Sequence, residues 1–238
     1  MDIAQLTGRA DVHMHTCASD GLPNAKQVLD YVARRGHLDV IAITDHDVLK
    51  ASLWAYNHCG EYPFDIIPGV EVTAHARHVL GLWVTQPIPT KLSIAEMVCA
   101  ILAHPGEMLI SPLNVLRYLQ NPAVLLQLGL DGVEVFNAGT MTPGNNVLAR
   151  RITRSLPLPL VGNSDAHTLS AIGRGLTRFC GTTADDFRAA LRAGQVAVEG
   201  VRWSLTDYLR LSLSSIPIRR TAYSEMNSPV TPSVSLVD

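Results

Sequence analysis

The sequence predicts an α/β fold in which short buried strands alternate with helices around a parallel sheet. Several short apolar segments rich in Val and Ile end in polar or charged residues, as strands of such a sheet do. Stretches with helical spacing lie between many of them, which is the pattern of a repeated strand and helix unit. A chain of 238 residues can bury a full core as one domain, and barrels of alternating strands and helices commonly have this length. The hydrophobic fraction of 47% and charged fraction of 17% belong to a globular chain and exclude disordered and fibrous classes.

The strands are expected at residues 10–15, 39–45, 65–73, 78–84, 99–104, 132–137, 158–165 and 175–180. A helix over 25–35 places Val28 and Val32 one turn apart and stops at Gly36, a favoured residue just past a helix end. Ser93 and Glu96 form a capping-box pattern that opens a helix carrying Ile94, Met97 and Val98. Pro122 must break or kink any helix between Pro112 and Gly129. A last helix over 185–193 pairs Phe187 with Leu191 and stops at Gly194. Residues 1–9 read as an N-terminal extension and 10–211 as the single domain. From 212 to 238 the chain is rich in Ser, Pro and Thr with little apolar periodicity, so it reads as a tail that cannot offset the entropy of ordering.

No apolar run approaches the roughly 18 residues that cross a bilayer, and Met1 to Arg9 lack the basic start and apolar stretch of a secretory signal. A cytoplasmic location without a membrane partner is expected. Cys17, Cys59, Cys99 and Cys180 are scattered without a Cys-x-x-Cys pair and read as reduced thiols. The formal charge of -2 gives no general pull toward a polyanion, although a short oligonucleotide remains an open substrate class. Arg150, Arg151 and Arg154 read as a solvated helix surface. No obligate protein partner is legible.

The chemistry lies in where the titratable residues fall, which is at the C-terminal ends of the expected strands. The first ends in His13-Met14-His15, and because strand side chains alternate, the two histidines point the same way and can grip one ion. Asp20 follows in the next loop, the second strand ends in Thr44-Asp45-His46-Asp47, and the third carries Glu71. The fourth begins at His78, the fifth ends in His104-Pro105, and the seventh ends in Asp165-Ala166-His167, repeating the two-apart geometry. At the C-terminal rim of a parallel barrel such groups converge in space. Burying so many carboxylates and imidazoles together would be costly without cations, and their mixture suits Mn, Zn or Fe. Two or three divalent ions would supply hydrolysis with a water of lowered pKa and with charge stabilisation on the attacked and leaving oxygens. Ser19 and Cys17 carry no signature of an activated nucleophile and are expected to shape their loop, while His37, His58 and His75 read as hydrogen-bonded core or loop residues.

Taken together, His13-x-His15, Ser19-Asp20-Gly21, Thr44-Asp45-His46, Gly69-Val70-Glu71, His78-Val79-Leu80-Gly81, Ala103-His104-Pro105 and Ser164-Asp165-Ala166-His167 resemble the polymerase-and-histidinol-phosphatase (PHP) family, in the family's order, from about Arg9 to Gly200. The resemblance implies a distorted (β/α)7 barrel with a trinuclear metal site. One ion would be held by His13, His15, Glu71 and Asp165, a second by bridging Glu71 with His78 and His104, and the third by Asp20, His46 and His167. Gly132-Val133-Glu134-Val135-Phe136-Asn137 and the segment from Asp185 to Gly194 look like the compact stand-alone members, which are similar to small phosphoesterases and nucleotidases. The connection between His78 and His104 is short, so the site should be open, and the helix from Ser93 leaves few residues for a turn and a full fifth strand.

The resulting expectation is a metal-dependent phosphoesterase acting on a small phosphomonoester, a nucleotide or the end of a short oligonucleotide by way of a metal-bound hydroxide. Asp165 would orient or deprotonate the attacking water, and Arg174 and Lys50 are candidate phosphate contacts. An amide or ester hydrolase at the same site, and a metal-stabilised module without catalysis, are the competing readings.

Overall fold

A computed structural model describes residues 5–74, 77–86, 99–142 and 144–213. The helix expected from Ser93, His75, and the segment from 214 onward lie outside the described residues. The strands are β1 (Gly8–Asp11), β2 (Val40–Ile41), β3 (Asp65–Ile66), β4 (Gly69–Thr73), β5 (His78–Leu82), β6 (Cys99–Leu102), β7 (Gly132–Asn137), β8 (Leu160–Asn163), β9 (Gly175–Phe179) and β10 (Val196–Gly200). The helices are α1 (Ala25–Arg35), α2 (Lys50–Asn57), α3 (Pro112–Gln120), α4 (Gly144–Thr153), α5 (Ala184–Arg192) and α6 (Leu205–Leu213).

These strands form two five-stranded mixed sheets, in the orders β10-β9-β1-β2-β3 and β4-β5-β6-β7-β8. The pairs β1-β2, β2-β3, β6-β7 and β7-β8 are parallel, as expected of strand and helix units. The wholly parallel sheet is corrected, because β4-β5, β5-β6, β1-β9 and β9-β10 are antiparallel. The reason is plain at β4-β5: the chain reverses between Thr73 and His78, with Ala74 and Arg77 exchanging backbone hydrogen bonds, and so short a link admits a hairpin but no crossover. The expected strand over 65–73 is two, since Pro68 has no N–H to continue a ladder. Among the described residues the strands form these two sheets rather than one closed ring of seven. Two isolated parallel bridges join the sheets, Met14 to Ala166 and His46 to Glu71.

Local sequence explains the helices that were legible. In α1, Asn24 and Gln27 cap each other's backbone amides, and Gly36 ends the helix at φ 57, a left-handed conformation that glycine adopts without strain. The α1 residues Val28, Leu29 and Val32 are buried. After α3, a 3-10 segment at Pro122–Leu128 replaces the helix that Pro122 interrupts. Thr183 and Asp186 form the capping box of α5, which buries Phe187, Ala190 and Leu191. Arg150 and Arg151 on α4, and Arg154 beyond it, are exposed. Among the described residues no helix is long and apolar enough to cross a membrane.

Phe187 is fully buried with its ring 5.3 Å from that of Phe179 on β9, so it ties α5 to the first sheet. Phe187→Ala is expected to cost about 3–5 kcal/mol of stability through the cavity it leaves. A lower urea midpoint at unchanged slope, with metal content retained, is the expected readout.

Candidate metal centre

The ends of strands from both sheets meet over one cleft, and the nine sequence-derived candidates His13, His15, Asp20, His46, Glu71, His78, His104, Asp165 and His167 all come together there. Backbone pairing brings them in. His15 N donates to Ala166 O at 2.8 Å, Thr44 N donates to Met14 O at 2.9 Å, and Asp47 N donates to Glu71 O at 2.9 Å. Glu71 lies at the middle, with Oε2 3.2 Å from His13 Nε2, His15 Nε2 and His46 Nδ1. Its Oε1 lies 3.0 Å from His78 Nδ1 and 3.3 Å from His104 Nε2. Asp165 Oδ1 lies 3.4 Å from His13 Nε2 and 3.2 Å from His15 Nε2. Asp20 Oδ2 lies 3.1 Å from His167 Nε2 and 3.7 Å from His46 Nε2.

The ligand atoms fall into four overlapping groups, each within 4.8 Å: His15 with Asp20, His46 and His167; His13 with His104 and Asp165; His13 with His15 and Glu71; and His46 with Glu71 and His78. The geometry therefore shares His15 with the Asp20 group and draws His104 toward His13 and Asp165, whereas the expected grouping shared Glu71 alone. His104 is well placed despite the tight connection before it. Its backbone N donates to Glu134 at 3.0 Å, and β6 pairs with both β5 and β7.

The residues present fit divalent ions. His13 Nε2, His15 Nε2, His46 Nδ1, His78 Nδ1 and Glu71 Oε2 are buried without a hydrogen-bond partner, and a buried polar atom in that state is costly. Imidazole nitrogens and carboxylate oxygens are ligands for borderline divalent metals. Backbone strain adds a second sign: His104 at φ 28 and Asp165 at φ 50 occupy the left-handed region, as does Asp47 at φ 54 beside His46. Such strain concentrates where the surroundings hold a residue for a task.

A sequence profile described as PHP-associated matches residues 143–196. An uncharacterized protein of Methanocaldococcus jannaschii is 26% identical over 172 residues, covering 63% of this chain and 94% of that protein. A phosphoribosyl 1,2-cyclic phosphate 1,2-diphosphodiesterase of Eggerthella lenta is 36% identical over 86 residues, which are 33% of this chain and 32% of that protein. A solved two-domain protein from Bacteroides vulgatus, described as containing a predicted PHP-like metal-dependent phosphoesterase, superposes with a TM-score of 0.61 at 20% identity, covering 87% of this chain and 69% of that one. The chain thus resembles PHP proteins in sequence over residues 143–196, and in fold over most of its length.

A buried carboxylate that sequence reasoning left without a role stands behind the candidate ligands. Glu134 of β7 is fully buried, and its Oε1 lies 3.0 Å from His13 Nδ1 and accepts from Asn163 Nδ2 at 2.9 Å. Its Oε2 accepts from His104 N and Asn137 Nδ2, each at 3.0 Å. Asn137 in turn donates to Asp165 Oδ2 at 2.9 Å, leaving Oδ1 toward the histidines. Asp45 accepts from Thr16 N and Thr16 Oγ1, each at 2.7 Å, and from Ser19 Oγ at 2.6 Å, fixing the loop that carries Asp20. Ser19 thus shapes that loop as expected. The signal available for Glu134 was a charged residue between two valines of an otherwise apolar strand.

Electrostatics follow from this packing. Burial alone favours a neutral His13 imidazole, but Asp165, Glu71 and Glu134 outweigh it and raise its pKa well above the usual value. Burial likewise opposes charge on Glu71 and Asp165, and His13 with its neighbouring imidazoles overcomes it, holding both carboxyls well below the usual range. Bound cations would take over the balancing role that protons play here.

The two expected phosphate contacts stand elsewhere. Lys50 is exposed at the start of α2, and neither it nor Arg174 is among the residues lining the cleft. Arg174 Nε lies 3.1 Å from Asp207 Oδ2 and donates to Ser170 O at 3.2 Å, while Nη1 donates to Arg202 O. Sequence nearness to the Asp165-x-His167 motif suggested a cleft-facing cation, but the buried Asp207 of α6 claims it. Burial opposes charge on Asp207, yet hydrogen bonds from Ser170 and Ser204 and the charge of Arg174 lower its pKa from 3.8. Its stabilising effect is therefore present above pH 3.8 and fades as the pH falls through the depressed value. Arg174→Ala is expected to lower the thermal midpoint, with a loss of about 1–3 kcal/mol from the weakened pairing of a buried charge, and to leave KM for a phosphate ester unchanged. A rise in KM at unchanged stability would return Arg174 to the substrate site. His58 accepts the structural role expected of it, its Nδ1 lying 2.7 Å from Trp54 O with the two rings stacked.

Proposed function

We propose that this chain is a PHP-family metal-dependent phosphoesterase acting on a small phosphorylated substrate: a phosphomonoester, a nucleotide or the end of a short oligonucleotide. The observation that carries the reading is the convergence of nine imidazole and carboxylate side chains on one cleft, five of whose ligand atoms are buried with no hydrogen-bond partner. Two or three Mn, Zn or Fe ions would fit, held by Glu71 together with His13, His15, Asp165, His78 and His104, and by Asp20, His46 and His167. When bound, such ions polarise phosphoryl oxygens, lower the pKa of a coordinated water and stabilise the leaving oxygen. Asp165, whose Oδ2 accepts from Asn137 while Oδ1 faces the histidines, would orient the attacking water. Glu134 fixes the orientation of the His13 ring through Nδ1, keeping Nε2 turned to the cleft. The phosphodiesterase name of the Eggerthella lenta relative and the PHP-like fold neighbour both favour phosphate over a carbonyl substrate. The two bridges that join the sheets support describing residues 10–211 as one distorted, incompletely closed barrel domain.

The test is elemental analysis of the purified protein with a phosphate-release screen over histidinol phosphate, nucleoside monophosphates, dinucleotides and 5′-phosphorylated oligonucleotides. Release that is lost on chelation and restored by Mn, Zn or Fe is the expected result, and no release from any member by the metal-loaded protein would end the proposal. His104→Ala is expected to lower metal content and turnover together. Unchanged values of both would remove His104 from the ligand set.

A further inference from the structure

The cleft of about 360 Å³ above the metal ligands has two unlike sides. Besides the imidazoles and carboxylates, it is lined by Ile110, Met141, Trp203, Tyr208 and Leu211. Among the described residues that line it none is Lys or Arg, so a second phosphate or carboxylate on the substrate would lose hydration with no protein cation to receive it.

The apolar side is a built surface. Trp203 is 7% exposed and donates its indole N–H to Ser164 O at 2.8 Å. The Tyr208 hydroxyl donates to Thr140 O at 3.0 Å, and the two rings lie 5.2 Å apart. Trp203 also stands edge-on to the ligand His167 at 5.7 Å, so the aromatic surface begins beside the metal ligands. Gly139 packs against the indole so closely that a Cβ there would come within 2.9 Å of Trp203 Cζ2. Both polar handles are used on backbone carbonyls, so what the largely buried Trp203 and the half-buried Tyr208 present to the cleft is apolar ring edge and surface. At the mouth, Ile110 and Met141 stay 50% and 71% exposed, apolar side chains held in water beside a polar site. Exposed apolar surface continuous with a reactive centre is the mark of a bound organic group.

We propose that the substrate is an ester of one phosphoryl group with a planar aromatic moiety, an aryl ring or a nucleobase-bearing group, whose ring lies against Trp203, Tyr208, Met141 and Ile110 while the phosphoryl group meets the metal ligands. The proposal rests on the phosphoesterase reading only for its phosphoryl half. Ring burial and aromatic contact of this kind give on the order of a tenfold preference or more.

The experiment uses inert phosphonates, so that binding is read apart from turnover. Calorimetry of the metal-loaded full chain compares methylphosphonate, phenylphosphonate and a nucleoside 5′-phosphonate. At least tenfold tighter binding of one or both ring compounds than of methylphosphonate is expected, and the tighter of the two tells a simple aryl ester from a nucleotide. Met141→Asp, at a position exposed enough to spare the fold, should bring the phenyl-to-methyl ratio down toward one. Binding of all three within twofold, binding of none, or a ratio that Met141→Asp leaves intact would overturn the proposal and assign the apolar wall to another occupant, such as residues 214–238 or a second copy of the chain. A protein that prefers phenylphosphonate yet hydrolyses no phosphate ester would end the phosphoesterase reading and with it the phosphoryl half of this proposal, leaving the wall as a ring-binding surface.

Discussion

Glu71→Gln is expected to strip bound metal and sharply lower phosphate release in a protein that still folds. The side chain is 1% exposed in β4, and its two oxygens lie 3.0 to 3.3 Å from five imidazoles. The amide keeps the volume but loses the charge and turns one arm into an N–H donor, which cannot ligate a cation. Since bound ions are worth several kcal/mol of transition-state stabilisation, the fall in turnover should be on the order of 10³-fold. Elemental analysis and phosphate release on the same preparation check it, and a variant with its full metal complement and turnover would remove Glu71 from the centre.

Glu134→Ala should damage the site without touching a metal. Four groups lose their acceptor at once: His13 Nδ1, the His104 amide, and the side chains of Asn137 and Asn163. Each donor left buried and unpaired costs about 1–3 kcal/mol, so a loss of at least about 3 kcal/mol is expected even where some donors rearrange. Groups that orient ligands from behind typically hold about 10- to 100-fold of metal affinity. Metal titrations of Glu134→Ala and the isosteric Glu134→Gln, each beside a melting curve, separate the two effects. Unchanged metal affinity in both variants would leave Glu134 with a packing role alone.

The metal candidates were legible because a strand's alternation and its C-terminal end are both written locally: His13-x-His15 and Asp165-x-His167 need no knowledge of the fold to be read as pairs. The boundaries of β7 and α1 were legible for the same reason, the first as an apolar run ending in Asn137 and the second as a periodic stretch closed by Gly36. Strand direction was not, because it depends on the path of the connection, and the reversal at Ala74 to Arg77 is short enough that its length was the available clue. β10 escaped notice because its residues are half-buried or exposed and lack a strong apolar pattern. Likewise α6 begins before the Ser-rich stretch and carries Asp207, whose capture of Arg174 is a contact between residues 33 apart by number that no local pattern announces. Glu134 shows the opposite lesson: a charge in the middle of a buried strand is itself the signal, once its cost is considered.

The seam between the two sheets gives the centre a further role. His13, His15 and His46 follow strands of the first sheet and Asp20 the loop beyond, whereas Glu71, His78, His104, Asp165 and His167 belong to the second or follow its strands. An ion gripped from both sides is a removable cross-link, closing chain loops as long as that from His13 to Asp165 much as a covalent staple would. Occupancy would then govern how often the seam gapes: the loaded protein should resist protease at this junction, and a chelated one should be nicked there before the rest of the chain unfolds.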